Sequence, residues 1–316
     1  MRPVAPHFFA SDEFLQTVAD VYFPGARPET VDCEGFHTRT LIHRGKPVTG
    51  FWWFSFPHHR LDPEPAARRV PRLEHAVLSC ERLSGAILPE DGEIAPLVRW
   101  DAFSSWDHYL AFARSRGART TSLSRDEARL TRSIGEVQFV AEDTDPELLP
   151  LTLEWKAAHY TRTGMHRLAT AQDREMYRQM SERGLLRASS LRAGGRIVAS
   201  ALWHLRDGVF IFRLTTYDRA LAGYSPGAML TDHLLRHRYE SGDREFDMLA
   251  GREGYKYQYA THARYLGTIG SEPTLDRWRR RTRMHAGRFL TRHPGMQDRA
   301  RALEAHAKRV AARWGL

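Results

Sequence analysis

From Glu136 onward the apolar residues change period in a fixed order, and that order restricts the fold more than any single motif does. Glu136 to Ala141 alternates as a strand. Asp145 and Pro146 mark the start of a helix to Thr163, a capping residue followed by a proline at the first position. A second helical stretch, Gln172 to Arg183, is closed by Gly184. Three β-rich runs come next: Leu186 to Leu191, Ile197 to Leu205 and Val209 to Tyr217. Ala193-Gly194-Gly195 and Asp207-Gly208 separate them, and such glycine dipeptides are the strongest local hairpin signals. Ser225-Pro226-Gly227 then opens a helix to about Glu240, with Gly242 ending it. A short apolar strand (Glu245 to Leu249), a helix (Gly254 to Ala260) and a strand (Arg264 to Ile269) complete the order β-α-α-β-β-β-α-β-α-β. Such a succession calls for an α/β fold with a mixed sheet.

Residues 1–135 are less regular, with Ser105 to Arg132 helical, basic and placed to pack across both halves. One echo links the halves. Gly45-Lys46-Pro47-Val48-Thr49-Gly50-Phe51-Trp52-Trp53 parallels Gly195-Arg196-Ile197-Val198-Ala199-Ser200-Ala201-Leu202-Trp203. Each has a turn glycine and a basic residue before a strand with valine and tryptophan at matched positions, which points to a duplicated fold.

The segment 273–316 holds twelve basic residues, between Arg277 and Arg313, against three acidic ones. It therefore accounts for the whole formal charge of +9. Such a tail offers a surface to tRNA, another polyanion or an anionic membrane. Solvated arginine-rich helices are the plainer expectation for this segment. Leu303, Ala307, Val310 and Trp314 make one apolar stripe for docking on the body. No apolar run approaches the ~20 residues of a membrane span, and Met1 to His7 lacks the apolar core of a secretory signal. Cys33 and Cys80 have neither metal-knuckle nor redox-pair spacing and are expected as two buried thiols in a reducing cytoplasm.

Two segments concentrate the chemistry. Ser225-Pro226-Gly227-Ala228 marks a helix start whose unpaired amides and positive dipole end suit an anion, with Gly227 letting a phosphate near the backbone. The next strand carries an acid, Asp247, between Phe246 and Met248, and runs on to Gly251-Arg252-Glu253-Gly254-Tyr255-Lys256. Titratable groups thus gather beyond the carboxyl end of a strand, where open α/β sheets bind ligands. His233 and His237, at i and i+4 on one helix, lack a third ligand and suit a helix surface, so no metal is expected. Pro57-His58-His59-Arg60 suits a loop, and no Ser-His-Asp order, P-loop or dinucleotide fingerprint occurs.

Thr216-Tyr217-Asp218, Tyr224-Ser225-Pro226-Gly227, Gly242, Phe246-Asp247 and Gly251-x-Glu253-x-Tyr255-Lys256, in that order, resemble the GNAT-type domain of CelD/BcsL-like acetyltransferases, relatives of the FemAB-like peptidyltransferases. The resemblance covers residues 136–272. It implies a GNAT fold in tandem GNAT-like halves, with domains at 1–135 and 136–272 and a basic helical extension at 273–316. It also implies a splayed sheet whose cleft holds the pantetheine arm of acyl-CoA, acetyl-CoA foremost, near Tyr217, Tyr224, Ser225, Pro226, Gly227 and Ala228. Gly223-Tyr224-Ser225-Pro226-Gly227-Ala228 replaces the usual Gln/Arg-x-x-Gly-x-Gly/Ala phosphate loop, so aminoacyl-tRNA stands as the alternative donor, with the basic tail as its seat.

Attack of a neutral amine on a thioester or ester carbonyl needs a base, a donor to the oxyanion and an acid for the leaving group. Glu253 or Asp247 is expected to serve as base or to position the amine. Tyr255 stands where GNAT enzymes often keep a leaving-group tyrosine, and Lys256 is expected to stabilise the oxyanion or a phosphate, as a lysine does in FemX-like relatives. Gly251, Arg252 and Trp203 are expected against the acceptor, a small-molecule amine or amino sugar. A non-catalytic GNAT-like binding protein is the third expectation, opposed by the joint presence of Glu253, Tyr255 and Lys256.

Overall fold

Residues 8–33, 36–48, 59–60, 68–70, 72–83, 93–163, 170–251 and 253–270 are described by the computed structural model. Helix α1 (Asp12–Tyr22) starts at Ser11, whose Oγ accepts from the Phe14 N–H at 3.3 Å. Strands β1 (Arg27–Cys33), β2 (Phe36–His43), β3 (Lys46–Pro47), β4 (His59–Arg60) and β5 (Arg68–Arg69) form one sheet, ordered β3-β2-β1-β5 with β4 also on β2. Then come β6 (Arg72–Arg82), β7 (Glu93–Arg99), α2 (Trp106–Ser115) and α3 (Thr120–Ile134). The C-terminal half supplies β8 (Val137–Val140), α4 (Leu148–Arg162), α5 (Ala171–Glu182), β9 (Arg187–Ala193), β10 (Arg196–Arg206) and β11 (Val209–Tyr217). It ends with α6 (Pro226–Glu240), β12 (Glu245–Asp247), α7 (Gly254–Tyr259) and β13 (His262–Gly270), the order expected from the apolar periods.

The second sheet has eight strands in the order β6-β13-β7-β12-β11-β10-β9-β8. Both predicted hairpins form, and Gly194, Gly195, Asp207 and Gly208 all take the positive φ that tight turns with right-handed strand twist require. Helix α6 carries the chain back so that β12 runs parallel to β11. Strand β7, from the N-terminal half, lies between β12 and β13 and is antiparallel to both. Residues on either side of the 135/136 step therefore share one sheet, and Met1–Ile269 forms one compact unit.

Helices cover both faces of this sheet, which is why β10 is buried from Val198 to His204 instead of alternating. On one face, Phe14, Leu15, Leu153, Met176 and Met180 of α1, α4 and α5 close over Leu202 and Ile211. On the other, Tyr109, Leu130, Leu230 and Leu234 of α2, α3 and α6 close over Trp203, Phe210 and Phe246. Each such side chain contributes about 1.5–3 kcal/mol on leaving water. Polar contacts fix α1 on α5: Tyr22 Oη donates to Asp173 Oδ1 at 2.6 Å and Arg183 pairs with Asp20 at 2.7 Å.

Some expectations shift. Helix α4 begins at Leu148 and not at Pro146, and Asp145 Oδ1 instead accepts the Glu147 N–H at 2.9 Å. Strand β12 stops at Asp247 because Leu249 turns left-handed, with φ +56°. Cys33 is buried as expected, but Cys80 is exposed on β6. In the proposed echo, Gly45 and Gly195 share a left-handed φ of +78° and +79°. Thr49 to Trp53, Pro57-His58 and the whole tail 273–316 lie outside the described residues. Among the described residues no helix is long and apolar enough to cross a membrane.

Candidate active site

Strands β11 and β12 pair at only three positions: Val209 with Glu245, Phe210 with Phe246 and Ile211 with Asp247. Strand β11 runs on to Tyr217, whereas the chain leaves β12 at Met248. Among the described residues, Phe212 to Tyr217 therefore has no strand on that side, and the two strands part into a cleft there, because the Met248 and Gly251 amides donate instead to Pro96 O and Ile94 O of β7, at 3.0 and 3.4 Å.

The lip opposite is built on a buried ion cluster. Asp247, Glu245 and Arg264 are 2%, 4% and 7% exposed. Arg264 Nη1 donates to Asp247 Oδ2 at 2.7 Å and Nη2 to Glu245, whose other oxygen lies 3.7 Å from Arg99 Nε. Burial opposes the charge on Arg264, but the two carboxylates outweigh it and hold its pKa above the ordinary value. Asp247 Oδ1 accepts the Leu249 N–H at 2.8 Å, which supports the left-handed turn there. The role of base expected for Asp247 does not suit these contacts. Both of its oxygens are engaged in the cluster, and a base needs a lone pair directed at the substrate.

That turn directs two carbonyls at Lys256, which donates from Nζ to Leu249 O at 3.4 Å and Ala250 O at 3.3 Å. Lys256 is buried and Glu253 exposed, with Glu253 Oε2 3.2 Å from Nζ. Gly251 lies against this pair: a Cβ there would fall 2.0 Å from Glu253 Oε2 and 2.6 Å from Lys256 Nζ. Tyr257 Oη donates to Gly251 O at 3.2 Å. Tyr255 is half-buried against the core on the α6 side, and burial, then the charge of Glu253, raises its phenol pKa above the ordinary value. Arg252 lies outside the described residues.

A residue that the sequence reading missed completes the cleft. Lys156 reaches down from α4 and donates to Thr215 O at 2.9 Å, on the open stretch of β11. Its ammonium also lies over the Tyr160 ring, 5.2 Å from the centroid, and within electrostatic reach of Glu253 and Lys256. Thr152, four residues earlier, faces the sheet too and shares a hydrogen bond with Ser200 Oγ at 2.7 Å. A lysine one turn beyond a sheet-facing threonine was the available signal.

The α6 start departs from the expected anion cradle. Ser225 is left-handed, with φ +55°, and its hydroxyl does not cap the helix. Pro226 has no N–H, while the Ala228 and Met229 amides donate to Ser225 O at 3.0 and 3.1 Å. The bare Gly227 makes room for a ring and not, as expected, for a phosphate: a Cβ there would fall 2.9 Å from Tyr217 Cδ1. Tyr217 is 41% exposed over this start, and Tyr224 turns away to Ser133 Oγ at 3.1 Å with Arg129 over its ring. Trp203, expected against the acceptor, is fully buried. Its indole N–H donates to Ser189 Oγ at 2.8 Å, and the ring lies between Arg187 and Arg238. His233 stacks on Phe139 and His237 meets the same ring edge-on.

Residues 117–257 match the family model described as Acetyltransferase (GNAT) domain. The chain carries a GNAT acyltransferase domain. The match begins in the approach to α3, upstream of the boundary expected at 136. Among solved structures the chain is similar to FemX, at 10% identity and TM-score 0.50, covering 86% of this chain and 96% of that one. It is also similar to L-PGS from Bacillus licheniformis (12% identity, TM-score 0.45, 83% and 88% covered). A tandem GNAT protein from the clavulanic acid biosynthesis pathway matches at 14% identity and TM-score 0.35, covering 86% and 98%. No curated protein matches the chain.

Proposed function

We propose that the protein transfers an acyl group from acyl-CoA, with acetyl-CoA foremost, to the amine of a small molecule or amino sugar. One observation supports this reading above the others: the open β11 edge, Phe212 to Tyr217, with Lys156, Glu253 and Lys256 gathered along it. An extended donor arm can join such an edge through backbone hydrogen bonds, as an added strand does. Lys256, buried and held by two carbonyls, is the donor to the developing oxyanion. Tyr255, kept protonated by its surroundings, returns a proton to the leaving group, and Glu253 positions the amine. The motifs around Ser225 and Glu253 resemble those of the CelD/BcsL-like acetyltransferases, which supports this reading. Residues 1–135 then serve as a second GNAT-like half and 273–316 as a basic tail, in a cytoplasmic protein.

A second reading, amide formation from aminoacyl-tRNA, is favoured by the α6 start, where little backbone is left for a pyrophosphate. The basic residues of 277–313 would then meet the tRNA phosphates. Thermal unfolding with coenzyme A or acetyl-CoA, set against charged and uncharged tRNA, separates the two. A ligand at 100 times its Kd adds about 2.7 kcal/mol, or roughly 5–10 °C for a protein of this size. Salt-sensitive stabilisation by tRNA with no response to coenzyme A overturns the first reading, and silence toward both favours a non-catalytic binding protein. Full turnover in both Lys256→Ala and Glu253→Gln would remove the roles given to those residues.

A further inference from the structure

We propose that Lys156 takes the proton of the incoming ammonium, an inference that rests on the amine-acylation reading above. Its Nζ stands on Thr215 O, four residues beyond the last β11 residue that pairs with β12, and so on the open edge of the cleft. The side chain is half-buried, and the groups that face it are Glu253 and Lys256 across the cleft and His159 and Tyr160 on its own helix. Glu253, by contrast, is exposed, with one carboxylate oxygen 3.2 Å from Lys256 Nζ. Among the described residues, Lys156 is thus the amine set directly against the strand edge.

Burial lowers the pKa of Lys156 most; Glu253 raises it and Lys256 lowers it, and the result is about 8 in place of 10.5. At pH 8 about half of Lys156 is neutral, against about 0.3% of an ordinary lysine. The neutral amine takes one proton from the acceptor ammonium and becomes charged itself. The freed nitrogen lone pair forms the C–N bond, and the C–S or C–O bond to the donor breaks with its electron pair on the departing sulfur or oxygen. The second nitrogen proton goes to that leaving atom, and Lys156 returns its proton to water before the next turnover.

Competitive labelling of the full chain with trace acetic anhydride from pH 6 to 11, read by peptide mass spectrometry, tests this without turnover. Exposed Lys46 in the same digest is the internal reference. The expected result is a Lys156 midpoint near 8 that falls in Glu253→Gln and rises in Lys256→Met. A Lys156 that titrates together with Lys46 overturns the inference whichever donor the protein uses. With acetyl-CoA or aminoacyl-tRNA as donor and glucosamine as acceptor, Lys156→Met and Lys156→Arg should both lose at least about 100-fold in kcat at pH 7.5, with donor KM unchanged. Full turnover by Lys156→Met refutes the base role even where labelling gives the low midpoint. If the wild type turns over neither donor while its Lys156 labels with a midpoint near 8, the transferase reading fails, and the base role with it.

Discussion

Replacing Asp247 with asparagine separates a structural carboxylate from a catalytic one. The substitution keeps an oxygen for the Leu249 N–H but removes one of the two negative charges around the buried Arg264 guanidinium. Breaking a buried ion pair costs about 3–5 kcal/mol. Glu245 stays in place and still pairs with Arg264, so the lower end, about 3 kcal/mol, is expected. At about 2–4 °C per kcal/mol the unfolding midpoint falls by roughly 6–12 °C. Asp247→Ala also leaves the N–H of the left-handed Leu249 without this acceptor, which adds about 1–3 kcal/mol. Urea unfolding of the wild type and both variants should give this ranking with unchanged m-values. Turnover per folded molecule in Asp247→Asn should stay within tenfold of the wild type. Unchanged stability with abolished turnover would refute the reasoning and restore Asp247 as the base.

Two further outcomes are expected. Trp203→Phe loses the indole N–H to Ser189 and opens space between Arg187 and Arg238, so stability should drop by about 1–3 kcal/mol with no change in donor KM; a raised KM at full stability would return Trp203 to the site. Asp143 accepts from Ser190 and pairs with Arg192 at 2.8 Å; burial raises its pKa, but these bonds and the Asp145 amide outweigh burial and hold the folded value below 3.8. Its stabilisation is then complete above pH 3.8 and drains away as pH falls below it. Midpoints measured from pH 2 to 6 should converge for the wild type and Asp143→Asn at the acid end, and parallel curves would refute this.

Much of the architecture was legible because local chemistry decides it. The hairpins form where Gly194-Gly195 and Asp207-Gly208 supply positive φ, and α5 forms behind Thr170 and Asp173, which make a reciprocal cap. Glu253, Tyr255 and Lys256 were visible as a cluster because they fall within four consecutive residues at a helix start. The start of α6 was legible but its surroundings were not, since nothing local says that Tyr217 will lie over Gly227 or that Ser225 will turn left-handed.

Sequence alone determined the element order, the turns and the acidic strand end, all of which depend on backbone dihedrals and side-chain period within a few residues. Tertiary structure alone decided that β7 enters the sheet between β12 and β13, that Arg264 neutralises Asp247 from seventeen residues away, and that Lys156 reaches the open edge of β11. Strand neighbours and buried charge partners are selected by burial and low dielectric across the assembled sheet, and no local pattern in the chain carries that information.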